Sequence, residues 1–181
     1  MSHIKLHDLK FKPFIEEEKI KEIVQSLVAQ ISRDCKGETP LFIGILNGSF
    51  MFVSDFVKAY PDNCEVSFVK LASYQGTASS ETVTKLVGLN TDVTGKTVVI
   101  LEDIIDTGNT LQEIYRLFED QNVKQLKIAS LFFKPDVFKK ELAIDYIGKR
   151  IPDKFIVGYG LDYNGLGRNY PAVYQLITTQ Q

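Results

Sequence analysis

Cysteine is scarce: Cys35 and Cys64 are too few for a disulfide framework and read as reduced thiols. Histidine is scarcer in chemistry than in number. His3 and His7 lie in an N-terminal segment, MSHIKLHDLKFKP, that reads as polar and exposed, and they do not make a metal pair. The same segment has no long apolar run and does not read as a secretion signal. No stretch approaches the ~20 apolar residues of a membrane-spanning helix. Excess charge of one sign is also missing. Lysine and arginine total 21 against 23 acidic residues, a net −2, which argues against a broad nucleic-acid footprint. Internal repeats and low-complexity linkers are absent. What remains is a 181-residue chain, 44% hydrophobic and 24% charged, read as a single domain, 1–181.

Periodicity divides the chain into elements. Ile20, Ile23, Val24, Leu27, Val28 and Ile31 recur at three and four, which predicts an amphipathic helix over 14–33. The apolar run LFIGIL (41–46) reads as a buried strand, followed by a helix over 47–60 that Pro61 ends. CEVSFVKLA (64–72) alternates as a strand does, and SYQGTASSE (73–81) is a polar loop with a short strand after it. Further strands are predicted at 127–134, 144–148 and 154–159, and the closing LDYNGLGRNYPAVYQL reads mostly as loop. The order is that of an α/β fold with a mostly parallel sheet.

The densest signal is VVILEDIIDTGNTL, residues 98–111. Val98 to Leu101 read as a buried strand. Glu102 and Asp103 follow at once. Consecutive strand residues point to opposite faces, so these acids are expected to converge where the chain turns, at the carboxyl edge of the sheet. Carboxylates there accept from a sugar diol or meet a hydrated divalent cation. Asp106, Thr107, Gly108, Asn109 and Thr110 then form a turn into a helix, where N–H groups and hydroxyls suit one phosphate. The plainer alternative is a solvated strand end with a capped helix. A second strand-to-helix turn, Gly-Ile-Leu-Asn-Gly-Ser (44–49), suits another anion or simply caps its helix.

LEDIIDTGNTL resembles the phosphoribosyl-diphosphate (PRPP) motif of type I phosphoribosyltransferases, and more narrowly their hypoxanthine-guanine branch. The resemblance runs from about Leu41 to about Tyr174. It implies a type I phosphoribosyltransferase fold, a mostly parallel twisted sheet flanked by helices. A core of about 40–150 would carry a small hood made of the N-terminal segment and about 151–181. It implies purine salvage: transfer of 5-phosphoribosyl from PRPP to hypoxanthine, and guanine with it, giving IMP or GMP and diphosphate, with Mg²⁺ as cofactor. It also implies a cytoplasmic enzyme, a homodimer or homotetramer, with no nucleic-acid or membrane partner.

The resemblance assigns roles residue by residue. Glu102, Asp103, Asp106, Thr107, Gly108, Asn109 and Thr110 would hold the ribose phosphate, with Asp106 the general base. Leu46, Asn47 and Gly48, with a cis peptide at Leu46–Asn47, and Arg168 would bind diphosphate. Many members carry Lys or Arg where this chain has Asn47, which shifts weight onto magnesium and Arg168. Lys134, Phe155, Ile156 and Asp162 would line the purine site. Lys134 would donate to the 6-oxo group, Phe155 would stack on the ring, and Ile156 would offer backbone groups. By residue type alone, Lys134 reads first as an ordinary solvated lysine, and a core phenylalanine is a serious rival reading of Phe155. Metal ligation would fall to Glu102, Asp103 and Asp162. Ser73 and Tyr74 match a mobile loop that closes over the reaction centre. Two rivals remain: a regulator on the same fold, and a relative that uses adenine, orotate or a pyrimidine. Lys134 with FIVGYGLDY favours 6-oxopurines; the preference among hypoxanthine, guanine and xanthine stays open.

Overall fold

A computed structural model describes residues 2–73, 83–87, 89 and 91–178. The N-terminal segment, expected to be an exposed tail, is a hairpin of β1 (Ile4–Leu6) and β2 (Leu9–Ile15). Leu6, Phe11 and Ile15 are buried beneath it, while the intervening lysines disguise the pattern in sequence. Helix α1 (Glu17–Asp34) therefore starts later than expected, and it buries all six residues of its apolar stripe. The chain continues through β3 (Leu41–Leu46), α2 (Phe50–Ala59), β4 (Glu65–Ser73), β5 (Val83–Val87) and β6 (Thr97–Ile105). Then come α3 (Asn109–Phe118), β7 (Gln125–Phe133), β8 (Tyr146–Arg150), β9 (Ile156–Val157) and β10 (Val173–Leu176).

The main sheet has the order β5-β4-β3-β6-β7-β8. All its pairings are parallel except β4 with β5. Side-chain alternation decides what each face covers. Phe42, Val99, Leu101, Ala129 and Leu131 pack beneath α1 and α2. Leu41, Ile43, Ile45, Val98, Ile100 and Ile128 pack against Leu111, Ile114 and Phe118 of α3. Each of those three α3 side chains contributes roughly 1.5–3 kcal/mol by leaving water. Neighbouring strands β3 and β6 thus send their helices to opposite faces. Their two turns part at the carboxyl edge and leave a crevice, the position where open α/β sheets hold ligands.

A second sheet, β1-β2-β10-β9, is antiparallel and joins segments from both chain ends. The closing segment is therefore more ordered than its glycines suggest, because Val173–Leu176 pairs with both β2 and β9. Ile15, Ile156 and Val173 reach into the core shared with α1 and α2, so this sheet is docked on the main one.

Candidate active site

Strand β6 does not stop at its acids. Ile104 and Ile105 stay in the ladder opposite Phe132 and Phe133, so Glu102 and Asp103 sit within the strand rather than at a turn. This corrects the expectation that a turn makes them converge. The apolar pair beyond them gains more by pairing with β7 than by leaving the sheet. The two carboxylates instead serve the two sides of the crevice. Asp103 lies against Gly48 of the first turn, where a Cβ would overlap its carboxylate. Glu102 lines a small cleft with Asp106, Gly108, Thr110 and Leu111 beside the second turn.

Both acids are buried, Glu102 to 5% exposure and Asp103 to 9%. Burial pushes the Glu102 carboxyl well above the usual range, reinforced by the charges of Asp103 and Asp106. Burial also pushes Asp103 up, to about 6, against opposing backbone hydrogen bonds and the Arg168 charge. Glu102 Oε2 is buried with no hydrogen-bond partner among the described residues. Two adjacent buried carboxylates, one of them with an unpartnered oxygen, are unfavourable in the free protein. Their hard oxygen donors fit a sugar diol or a hydrated magnesium ion, which commonly takes one or two carboxylates and completes its shell with water and phosphate. Among the described residues no group of three His, Cys, Asp or Glu forms a cage that would hold a metal alone.

The second turn holds the remaining predicted phosphate residues. Asp106 is exposed and accepts the Thr107 N–H. Gly108 has φ +84, and a Cβ there would meet Phe138 Cε2 at 2.6 Å, so only glycine suits the position. Asn109 and Thr110 open α3, where the first N–H groups of a helix lack intrahelical partners.

The first turn contains the expected cis peptide, Leu46–Asn47. Ser49 Oγ donates to the Ile45 carbonyl at 2.7 Å and braces the turn from inside. Gly160 covers the other side. It has φ +97, and a Cβ on it would run into the Gly48 carbonyl. Arg168 Nη1 donates to the Gly160 carbonyl at 2.6 Å, which brings the guanidinium to the same turn. Its Nη2 meets Asp162 Oδ1 at 2.7 Å, and the Gly165 N–H meets Asp162 Oδ2 at 2.7 Å. Both Asp162 oxygens thus have partners, and Asp162 touches Arg168 rather than Lys134 or Phe155.

Of the predicted base-binding residues, Lys134 follows β7, while Phe155 and Ile156 lie just before and within β9. Lys134 is buried, its N–H donates to the Ile105 carbonyl at 2.9 Å, and its ammonium lies 3.1 Å from Asp153. Phe155 is 45% exposed, unlike a core phenylalanine, with the Tyr163 ring edge-on at 5.9 Å. Leu176 N–H donates to the Phe155 carbonyl and Ile156 faces Gln175. In an antiparallel ladder successive residues direct their polar groups to opposite sides. The N–H and carbonyl of Ile156 therefore point away from β10, off the open edge formed by β9. Ser73 ends β4, and Tyr74, with the loop predicted to move, lies outside the described residues.

Two residues escaped the sequence reading. Asp153 is an ordinary loop acid until the fold sets it beside Lys134. Gly160 could have been suspected from the glycine density of GYGLDYNGLGR, which marks close backbone approach.

A mostly parallel sheet whose carboxyl edge carries two buried acids between two anion-sized turns, with a buried lysine after the neighbouring strand, is the architecture of a type I phosphoribosyltransferase. Residues 15–164 match the phosphoribosyl transferase domain family. The chain is 40% identical over 168 residues to a hypoxanthine-guanine phosphoribosyltransferase of Staphylococcus aureus, covering 92% of this chain and 93% of that one. A solved Bacillus anthracis hypoxanthine-guanine phosphoribosyltransferase superposes with TM-score 0.86 at 36% identity, over 92% of this chain and 98% of that one. A Trypanosoma cruzi hypoxanthine phosphoribosyl transferase does so at 0.86 and 28%, over 96% and 95%. The chain belongs to the hypoxanthine-guanine phosphoribosyltransferases of the phosphoribosyl transferase domain family.

Proposed function

We propose that this protein performs purine salvage, transferring 5-phosphoribosyl from PRPP to hypoxanthine or guanine and releasing diphosphate. The observation that carries this is the buried Glu102–Asp103 pair between the two turns, on the strand whose Ile105 carbonyl accepts the Lys134 N–H. The new bond joins a purine ring nitrogen to the anomeric carbon of the ribose, as the bond from that carbon to diphosphate breaks.

Glu102 and Asp103 accept from the ribose hydroxyls, and the N–H groups and hydroxyls of 107–110 hold the 5-phosphate. The turn at 46–48 and Arg168 receive the departing diphosphate, whose charge grows as the sugar becomes cationic. Asn47 brings no charge to that turn, so the guanidinium fork of Arg168 carries more of the binding. Magnesium would neutralise phosphate charge, one ion at Glu102 and Asp103 and a second at Asp162, each completing its shell with substrate oxygens and water. Asp106, exposed at the mouth of the cleft, takes the proton from the purine nitrogen. Lys134 can only donate, so it favours a 6-oxo group over the 6-amino group of adenine. Phe155 supplies a stacking face, and the outward backbone of Ile156 meets the base edge.

No helix among the described residues is long and apolar enough to cross a membrane. Cytoplasmic location and a dimeric or tetrameric assembly belong to the same reading. Turnover with PRPP and magnesium against hypoxanthine, guanine, xanthine and adenine tests it. IMP and GMP should form without AMP; AMP as the main product, or no nucleotide at all, contradicts it.

A further inference from the structure

Lys134 follows the last residue of β7, and its side chain is only 10% exposed. An ammonium so enclosed needs an acceptor in the free protein. Asp153 Oδ1, at 3.1 Å, is the carboxylate that provides it among the described residues. Asp153 is placed there by the backbone. The Ile151 N–H donates to the Phe133 carbonyl at 2.8 Å, anchoring the segment on the residue before Lys134. The Lys154 N–H donates to the Pro152 carbonyl at 2.8 Å, closing a tight turn with Asp153 at its tip. The next two residues are Phe155 and Ile156. One ion pair therefore ties the lysine at the end of the main sheet to the segment carrying the stacking ring and the open backbone edge.

We propose that Asp153 is a positioning residue for purine recognition. It aims the Lys134 ammonium and holds it at a fixed separation from the Phe155–Ile156 segment. An ammonium has three donors, so after one goes to Asp153 others stay available for the 6-oxo group. The proposal rests on Lys134 being the base-contacting lysine, and its test separates the two.

The test measures KM for hypoxanthine and for PRPP separately in Asp153→Asn, Asp153→Glu, Lys134→Met and the Asp153→Asn/Lys134→Met double variant. Asp153 is 57% exposed at its side chain, so the enzyme should fold without its charge. Asp153→Asn should raise KM for hypoxanthine about fivefold, the upper range for a partly exposed pair, and leave KM for PRPP within about twofold. Asp153→Glu should recover most of the loss, and Asp153→Asn should add nothing in the Lys134→Met background. If Lys134→Met raises KM for hypoxanthine but Asp153→Asn does not, the positioning role falls and the lysine's role stands. An equal rise in both KM values makes Asp153 merely structural and overturns the proposal. If Lys134→Met leaves KM for hypoxanthine unchanged, the base-contacting role itself is wrong and Asp153 falls with it.

Discussion

Gly48→Ala probes the contact on which the site is built. The φ of Gly48 is not positive, so alanine meets no backbone strain there and the added methyl isolates one contact. That methyl would overlap the Asp103 carboxylate, with Asp103 Cγ only 2.6 Å away. Ordinary carbon contacts are about 3.5–4.0 Å, so the carboxylate or the turn must retreat by about 1 Å. Neither moves freely. Asp103 is buried, and Gly160 presses on the turn from the other side. Overpacking of this kind costs about 1–3 kcal/mol, or roughly 2–4 °C in Tm for each kcal/mol in a chain of this size. Misplacement by about 1 Å at a reacting centre costs on the order of 100-fold in rate. Steady-state kinetics with PRPP varied at saturating hypoxanthine, alongside thermal unfolding, should show kcat/KM for PRPP down by about that factor and Tm down by several degrees. Wild-type kcat/KM for PRPP in a folded Gly48→Ala protein would refute the claim that this contact sets the site's geometry.

Other perturbations separate the roles of individual groups. Glu102→Gln should raise the Tm of the free protein near pH 7, because an amide escapes the penalty that burial and the neighbouring acids place on ionising this carboxyl, while abolishing transfer; an unchanged or lower Tm speaks against that penalty. Asp106→Asn should lower kcat by about 10²–10⁴-fold with little change in KM for PRPP, and full turnover would remove Asp106 from the chemistry. Away from the site, the Tyr146 hydroxyl donates to Asp34 at 2.6 Å and holds its carboxyl below the ordinary 3.8. A lowered carboxyl value contributes stability above the unfolded value that is lost as pH falls through the folded one. Tyr146→Phe should therefore destabilise the protein near pH 7, and the Tm gap should narrow in acid; a gap that widens below pH 4 would contradict this.

Where pattern and chemistry agreed, the sequence was enough. Long apolar strands and the 3–4 stripe of α1 located the main sheet and its first helix, because burial on both faces leaves little room for polar residues. The turn at 106–108 was legible because glycine and short polar residues cluster there for one physical reason. The course of β6 was not. Two consecutive acids look like the end of a strand, yet Ile104 and Ile105 bind them into the ladder opposite Phe132 and Phe133. The second sheet was equally hidden as secondary structure. Its strands are short, come from opposite ends of the chain, and bury Leu6, Phe11 and Val173 only after they meet. Asp153 shows the same limit within the site. Its partner is 19 residues away, and no local pattern joins them.

A crystal structure of the protein with PRPP and magnesium would show how the crevice between β3 and β6 divides the substrate. The ribose hydroxyls should lie on Glu102 and Asp103, the 5-phosphate on the N–H groups of 107–110, and the diphosphate on the 46–48 turn and Arg168. A 5-phosphate seated on the 46–48 turn, or PRPP bound away from the crevice between β3 and β6, would contradict the account.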